Sequence, residues 1–225
     1  MIRYMKTLSI VIRTYNESIH LEKTLNIIDS ILEKKEIIII DSYSTDNTLE
    51  IAKEHNAKVF QLLPFNYSKA LNIGISKSSN ELISILSAHC FIQNDDFFQI
   101  MSSHFVNKKV AGVYARQIPS EKSNILDKRN LTLIYRNTER PINNPHFFNN
   151  AASMIRKSVW RRFPFNENIE MMEDIEWERR VRNAGFHIIY EPRAVVEHFH
   201  DNSISDTLKR YVREVNSLVD LGEIG

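Results

Sequence analysis

The first 86 residues alternate short runs of Ile, Leu and Val with segments of helical period, and this alternation limits the architecture more than any other feature of the chain. TLSIVIR (7–13) and EIIIID (36–41) are continuously apolar at their centres, the pattern of parallel strands covered on both faces. Between them Leu21, Leu25, Ile28 and Leu32 recur at helical spacing, with Ser18 placed to cap the start. A second helix is predicted over TDNTLEIAKEH (45–55), a strand over AKVFQL (57–62), a third helix from about 68 to 77 and a strand over ELISIL (81–86). The order β-α-β-α-β-α-β implies a doubly wound, mostly parallel α/β sheet with helices on both faces and a binding crevice at the strand C-terminal ends. A length of 225 residues with 43% hydrophobic content suits one domain.

Charge and cysteine content narrow the function classes. Lys and Arg number 29 against 28 acids, so the net charge of +1 supplies no general attraction to nucleic acid, and none is expected as a partner. The single cysteine, Cys90, excludes an internal disulfide and reads as a small buried apolar residue. The N-terminal apolar run is too short for a signal peptide or membrane span, which makes the cytoplasm, including the inner face of the plasma membrane, the expected location. Neither G-x-G-x-x-G nor G-x-x-x-x-G-K occurs, so nothing supports NAD or a phosphate-loop ATP site.

Polar clusters follow the strands: RTYNES (13–18), DSYSTDNT (41–48) and SAHC (87–90). Ser44, Thr45 and Asp46 suit helix capping, whereas Asp41 at a strand end suits a carboxylate that accepts from a base or ribose. Further on, MMEDIEWERRVRNAGFHIIYEP predicts a helix from about Met172, with Ile175, Trp177, Val181 and Ala184 inward and Gly185 at its end. Glu173 and Asp174 fall in its first turn, where the helix dipole favours acids by up to about 1 kcal/mol. Two adjacent acids among Met171, Met172 and Trp177 also fit a desolvated carboxylate with the raised proton affinity of a general base.

LSIVIRTYNES, IIIIDSYSTDNTLEIA, ALNIGI, FFNNAASMIRKSVW and EDIEWERRVRNAGFHIIYEPRAVVEH stand in that order between Leu8 and His200. Together they resemble family 2 glycosyltransferases of the GT-A fold, in the bacterial surface-polysaccharide, rhamnosyltransferase-like branch. The resemblance implies an inverting hexosyl- or deoxyhexosyltransferase. Its donor would be a UDP- or dTDP-linked sugar, and its acceptor a hydroxyl of an oligosaccharide or lipid-linked saccharide of capsule or O-antigen type. It also implies nucleotide-sugar contacts from Thr14, Tyr15, Asn16, Glu17, Asp41, Ser44 and Asp46 and from a diphosphate turn at Ser87, Ala88 and His89. Asp174 is then the base, with Glu173 positioning the acceptor or the helix.

Two departures from the family pattern matter. Both carboxylates of the usual Asp-x-Asp turn are absent, and an imidazole stands at the metal-proximal position. His198 and His200, two apart in an extended segment, share a face, so their return to the turn of His89 would bring three imidazoles together. The expected cofactor is a divalent cation on His89, His198 and His200, with nitrogen-tolerant Mn²⁺ favoured over Mg²⁺; the alternative is a direct hydrogen bond from His89 to the diphosphate. The second departure is Leu71, where related enzymes often carry an arginine before Asn-x-Gly, which leaves Lys69 as the nearest cation.

Residues 116–148 show no clear period and are the expected acceptor-binding or lid segment. Arg116, Arg136, Arg140, Arg156 and Lys157 are candidate phosphate donors, although most such side chains are simply solvated. The domain reading is 1–202, with a nucleotide-binding half (1–115) and an acceptor and catalytic half (116–202), followed by an amphipathic helix in 203–225. Leu208, Tyr211, Val212, Val215, Leu218 and Val219 form its stripe. Packing on the parent domain is the expected meaning; a homodimer contact or peripheral membrane association, aided by Lys209, Arg210 and Arg213, is the alternative. Two other functions compete. A nucleotidyltransferase needs a glycine-rich first loop, which RTYNES lacks, while the lost carboxylates suggest a non-catalytic or regulatory nucleotide-sugar-binding protein.

Overall fold

The computed structural model describes residues 7–139, 148–200 and 202–222. The expected alternation is realised as β1 (Leu8–Thr14), α1 (Ser18–Ile31), β2 (Lys35–Asp41), α2 (Thr48–Glu54), β3 (Lys58–Gln61), α3 (Tyr67–Lys77) and β4 (Leu82–Ser87). There follow β5 (Cys90–Ile92), α4 (Phe97–Ser103), β6 (Val110–Pro119), α5 (Ile125–Ile134), β7 (Ala152–Arg156), α6 (Lys157–Arg162), α7 (Glu173–Asn183), β8 (His187–His198) and α8 (Ile204–Asp220).

The strands form one sheet in the order β3-β2-β1-β4-β7-β6-β8-β5. Strands β3, β2, β1 and β4 are mutually parallel. Beyond them β7 runs antiparallel to β4 and β6, β8 is parallel to β6, and β5 is antiparallel to β8, so the second half is mixed. Alternate residues of the continuous runs serve opposite faces. Ile10, Ile12, Ile37 and Ile39 pack with Leu21, Leu25 and Ile28 of α1, and Val11, Ile38 and Ile40 with Leu71 and Ile75 of α3. Double coverage is therefore why no polar residue interrupts them. Gly74 of α3 lies so close to β1 that an added Cβ would stand 2.5 Å from Val11 Cγ1.

Register gathers the polar clusters at one edge: Thr14 lies opposite Asp41, and Arg13 opposite Ser87. The chain steps outward from β1 to β3 and then returns to the other side of β1 as β4. The switch point of the sheet is thus at β1 and β4, where ligands of open α/β sheets bind.

Several expectations are corrected. Ser18 is the first residue of α1 and makes no cap of its own; the helix is capped from the β2–α2 loop. Gly185 ends α7 with φ +84° as expected, but Ala184 is exposed. Residues 116–119 complete β6 and 125–134 form α5, so much of the supposed irregular segment is regular. Arg156 donates to the carbonyls of Phe105, Asn107 and Val110, and Lys157 to those of Ser76 and Ser78, so both tie backbone rather than wait for phosphate. Arg140 lies outside the described residues. Helix α8 packs on α5 through the buried Thr207 and through Arg210, which pairs with Asp127. Leu208, Val212, Val215 and Val219 remain between 48% and 59% exposed, so packing accounts for only part of the stripe. Among the described residues no helix is long and apolar enough to cross a membrane.

Candidate active site

The β1–α1 turn and the β2–α2 loop are laced together across the switch point. Asn16 N donates to Ser44 Oγ (2.8 Å), Thr45 N to Asn16 Oδ1 (2.8 Å), Glu17 N to Thr48 Oγ1 (3.0 Å) and Ser18 N to Asp46 Oδ2 (3.1 Å). Asp46 also accepts from Thr48 N. Burial opposes ionisation of Asp46, but these hydrogen bonds prevail and hold it at about 2. Asp46 therefore caps, for α1 as well as α2, whereas Ser44 caps neither helix and ties the Asn16 backbone to Asp41. Asp41 is wholly buried and accepts from Thr14 Oγ1 (3.1 Å), Ser44 N (2.9 Å) and Gln61 Nε2 (3.4 Å). The carboxylate that the sequence reading aimed at a base or ribose is engaged in holding the loops of that crevice. Tyr15, by contrast, is 62% exposed beside them, as is Tyr43 at 50%, which the sequence reading passed over.

A cleft of about 630 Å³ opens at the ends of β1 and β4 and is closed on its far side by α5 and α8. Its wall contains Arg13, Glu173, Asp174 and the three imidazoles of His89, His198 and His200. A more open hollow of about 700 Å³ between α3 and α6 contains none of these groups. Lys69 is exposed on α3 and does not line the cleft; the cation beside α3 is Arg13, 5.0 Å from the centre of the Tyr67 ring.

Met172 enters α7 in the left-handed region (φ +63°), unusual for a side chain of its size, and this turn sets the two following carboxylates into the cleft. Their environments differ. Glu173 Oε1 accepts from Arg13 at 3.1 Å, a fixed ion pair. Asp174, only 8% exposed, accepts from Asn150 N (3.1 Å) and Ile175 N (3.0 Å). Burial, and then the charge of Glu173, raise Asp174 to about 7 despite those hydrogen bonds and Arg13. Asp174 thus has the proton affinity of a base at neutral pH, and Glu173 anchors α7 to β1.

The imidazoles converge because β8 returns beside β5, with His198 opposite Cys90. One ligand nitrogen from each of His89, His198 and His200 lies within 4.8 Å of the other two. The His198 and His200 rings are 4.1 Å apart, and the His89 and His198 rings stack at 5.3 Å. Burial, with the charges of neighbouring groups, lowers His198 well below the usual imidazole range and His200 to about 4, so both are neutral at physiological pH. Neutral, converging nitrogens suit a borderline divalent cation. Glu17, which the sequence reading assigned to the nucleotide, instead accepts from Nδ1 of His89 (2.8 Å) and His20 (2.7 Å). Ser87 lines the cleft, while Ala88 is buried and its carbonyl accepts from Thr24 Oγ1 (2.6 Å). Burial pushes the Cys90 thiol up, which leaves it an inert core residue.

Other site residues escaped the sequence reading. Gln117, Asn149 and Asn150 line the cleft, the first at the start of the segment without a period and the other two in FFNNAASMIRKSVW, where nothing in the local pattern says what they touch. Arg210 enters from α8 and donates to His200 Nε2 at 3.1 Å.

The family model described as glycosyl transferase family 2 matches residues 9–163. The chain belongs to this family. Among curated relatives, this family 2 chain is 28% identical over 193 residues to the O-antigen chain rhamnosyltransferase WbaN of Salmonella anatum, covering 80% of this chain and 61% of that protein. It is 28% identical over 203 residues to the poly-beta-1,6-N-acetyl-D-glucosamine synthase of Staphylococcus aureus, covering 85% of this chain and 49% of that one. It therefore spans only about half to two thirds of these relatives' length. Among solved structures it superposes on a mannosyltransferase from Pyrobaculum calidifontis in complex with GDP-Man and Mn²⁺, with a TM-score of 0.76 at 16% identity over 99% of this chain and 66% of that one. The glucosyl-3-phosphoglycerate synthase of Mycobacterium tuberculosis with Mn²⁺, UDP and glucosyl-3-phosphoglycerate gives 0.70 at 16% over 98% and 81%. At that identity the likeness establishes the GT-A fold.

Proposed function

We propose that this chain is an inverting glycosyltransferase that moves a sugar from a UDP- or dTDP-linked donor to a hydroxyl of a surface polysaccharide, capsule or O-antigen-type acceptor. The observation that carries the reading is Asp174: a buried carboxyl of raised proton affinity that faces, within one cleft, a cluster of groups suited to a diphosphate and its counter-cation. Relatives named as O-antigen rhamnosyltransferases support the acceptor class.

The chemistry follows from the placement. Asp174 accepts the proton of the acceptor hydroxyl as its oxygen bonds to the anomeric carbon from the face opposite the leaving group. The anomeric carbon–oxygen bond breaks, its electron pair leaves on the diphosphate, and the configuration inverts. Glu173, held by Arg13, fixes the helix that aims Asp174. Tyr15 and Tyr43 offer exposed rings to the nucleoside beside the laced loops, and Thr14 supports them through Asp41. His89 and His198 would hold a divalent cation, Mn²⁺ in preference to Mg²⁺, and His200 would join them by giving up the hydrogen bond from Arg210. Such a cation, when bound, stabilises the negative charge that develops on the leaving diphosphate. Arg210 adds a fixed positive charge at the same place. The exposed half of the α8 stripe suits either a lipid surface or a second copy at the cytoplasmic face of the membrane.

The test is a thermal-shift screen of UDP, dTDP, GDP and CMP with Mn²⁺ or Mg²⁺, since a ligand selective for the folded state raises stability by mass action. UDP or dTDP with Mn²⁺ should give the largest rise, and no response to any nucleotide would overturn the reading. A second reading, a non-catalytic nucleotide-sugar-binding protein, is favoured by the missing carboxylates at 87 and 89 and would show binding without turnover.

A further inference from the structure

With His89 in place of a carboxylate, the proposed cation site has a deficit of charge. The cluster of His89, His198 and His200 contains no acid, so it contributes nitrogen donors and no negative charge to a divalent ion. Directly behind His89 stands Glu17. Its position is fixed independently of any ligand: Glu17 N donates to Thr48 Oγ1 (3.0 Å), its carbonyl accepts from Leu21 N (2.7 Å) as α1 begins, and Oε2 accepts from His20 Nδ1 (2.7 Å). Its other oxygen, Oε1, accepts from His89 Nδ1 at 2.8 Å. A carboxylate accepts only, so Nδ1 of His89 carries a proton, and in the neutral ring that a cation requires the lone pair is on Nε2.

The tautomer of His198 is set through a longer relay with the same result. Ala151 N donates to Asn149 Oδ1 (2.8 Å), which orients that amide. Gln117 Nε2 donates to the same oxygen (3.1 Å), and so Gln117 Oε1 must accept from His198 Nδ1 (2.6 Å). Both rings therefore present Nε2. Of these two partners only that of His89 is charged.

We propose that Glu17 is the positioning residue of the cation site, fixing His89 as an Nε2 donor and supplying from behind it the negative charge that an aspartate at position 89 would bring in direct contact. The role rests on the reading of the three imidazoles as a cation site. It follows the general behaviour of histidine ligands, whose second nitrogen is held by a carboxylate that orients the ring and strengthens it as a donor, typically worth about 10- to 100-fold in metal affinity.

The experiment measures Co²⁺ and Mn²⁺ binding to the purified full chain without nucleotide, by calorimetry and by the visible absorption of bound Co²⁺. Glu17→Gln, which keeps an acceptor of the same size, should weaken binding about tenfold, and Glu17→Ala up to about 100-fold with an altered Co²⁺ spectrum. His89→Asp restores a direct carboxylate, so in that background removing Glu17 should change affinity less than about twofold, as expected of a residue that acts through the ring. Glu17→Ala with wild-type affinity and spectrum would overturn the role of Glu17 while leaving the three-imidazole site standing. An equal loss in both backgrounds would overturn it too, by assigning Glu17 to the integrity of the β1–α1 turn alone. Absence of Co²⁺ and Mn²⁺ binding to the wild type would overturn the cation reading and this inference together.

Discussion

Replacing Asp174 with Asn tests whether a buried carboxyl of high proton affinity sits at the start of α7. In the folded chain Asp174 holds its proton until about pH 7, against 3.8 for an ordinary aspartate. A group whose folded pKa is raised contributes stability that is fully present below the unfolded value and is lost as pH rises through the folded value. At pH 5.5 about 1.5 pH units of that window remain, worth roughly 2 kcal/mol at 1.4 kcal/mol per unit, and by pH 8.5 none does. Asparagine does not titrate, so Asp174→Asn should gain on the wild type by about 4 to 8 °C in Tm between pH 5.5 and 8.5, at 2 to 4 °C per kcal/mol for a chain of this size. The hydrogen bond lost when one carboxylate oxygen becomes an amide nitrogen is the same at both pH values and cancels. Differential scanning calorimetry of both proteins across this range reads the effect, and a Tm difference independent of pH would refute the raised affinity. His198 and His200 are already neutral across this range and do not contribute to an acid limb of the activity profile.

His89→Ala and His198→Ala should each abolish the Mn²⁺-dependent part of nucleotide binding, and chelation with EDTA should lower transfer; full activity after exhaustive chelation would leave His89 as a direct partner of the diphosphate. Gly74→Ala should cost about 1 to 2 kcal/mol in urea unfolding, as a 2.5 Å contact with Val11 outweighs a helix-propensity gain of about 1 kcal/mol, and the penalty should shrink in a Val11→Ala background. Arg210→Ala should destabilise the chain by roughly 3 kcal/mol, since it leaves the buried Asp127 without its cation, and a change below about 0.5 kcal/mol in denaturant melts would contradict the packing of α8 described above.

What was legible in the sequence depended on short-range pattern. The two central parallel strands, β1 and β2, showed themselves because coverage on both faces leaves no polar residue in IVI or IIII. Asp174 stood out because acids among methionines and a tryptophan demand an explanation, and the imidazole cluster because His198 and His200 keep the period of a strand. What was not legible is set by contacts far apart in the chain. Ser18 reads as a cap until Asp46, 28 residues away, takes that place. Asp41 reads as a free crevice carboxylate until Thr14 and Gln61 meet it. The relay from Asn149 through Gln117 to His198, 81 residues from Gln117, depends on the pairing of β6 with β8. Residues 116–134 lack a single period because they join the end of a strand to a short helix.

The most direct test of the central claim compares Asp174→Asn with the wild type in nucleoside diphosphate release from UDP- and dTDP-sugars with Mn²⁺ and a saccharide acceptor, alongside nucleotide affinity. General base catalysis contributes about 10² to 10⁴ in rate, so the variant should bind nucleotide as the wild type does and lose at least about 100-fold in kcat. A variant that keeps more than about a tenth of the wild-type kcat would contradict the assignment of Asp174 as the base.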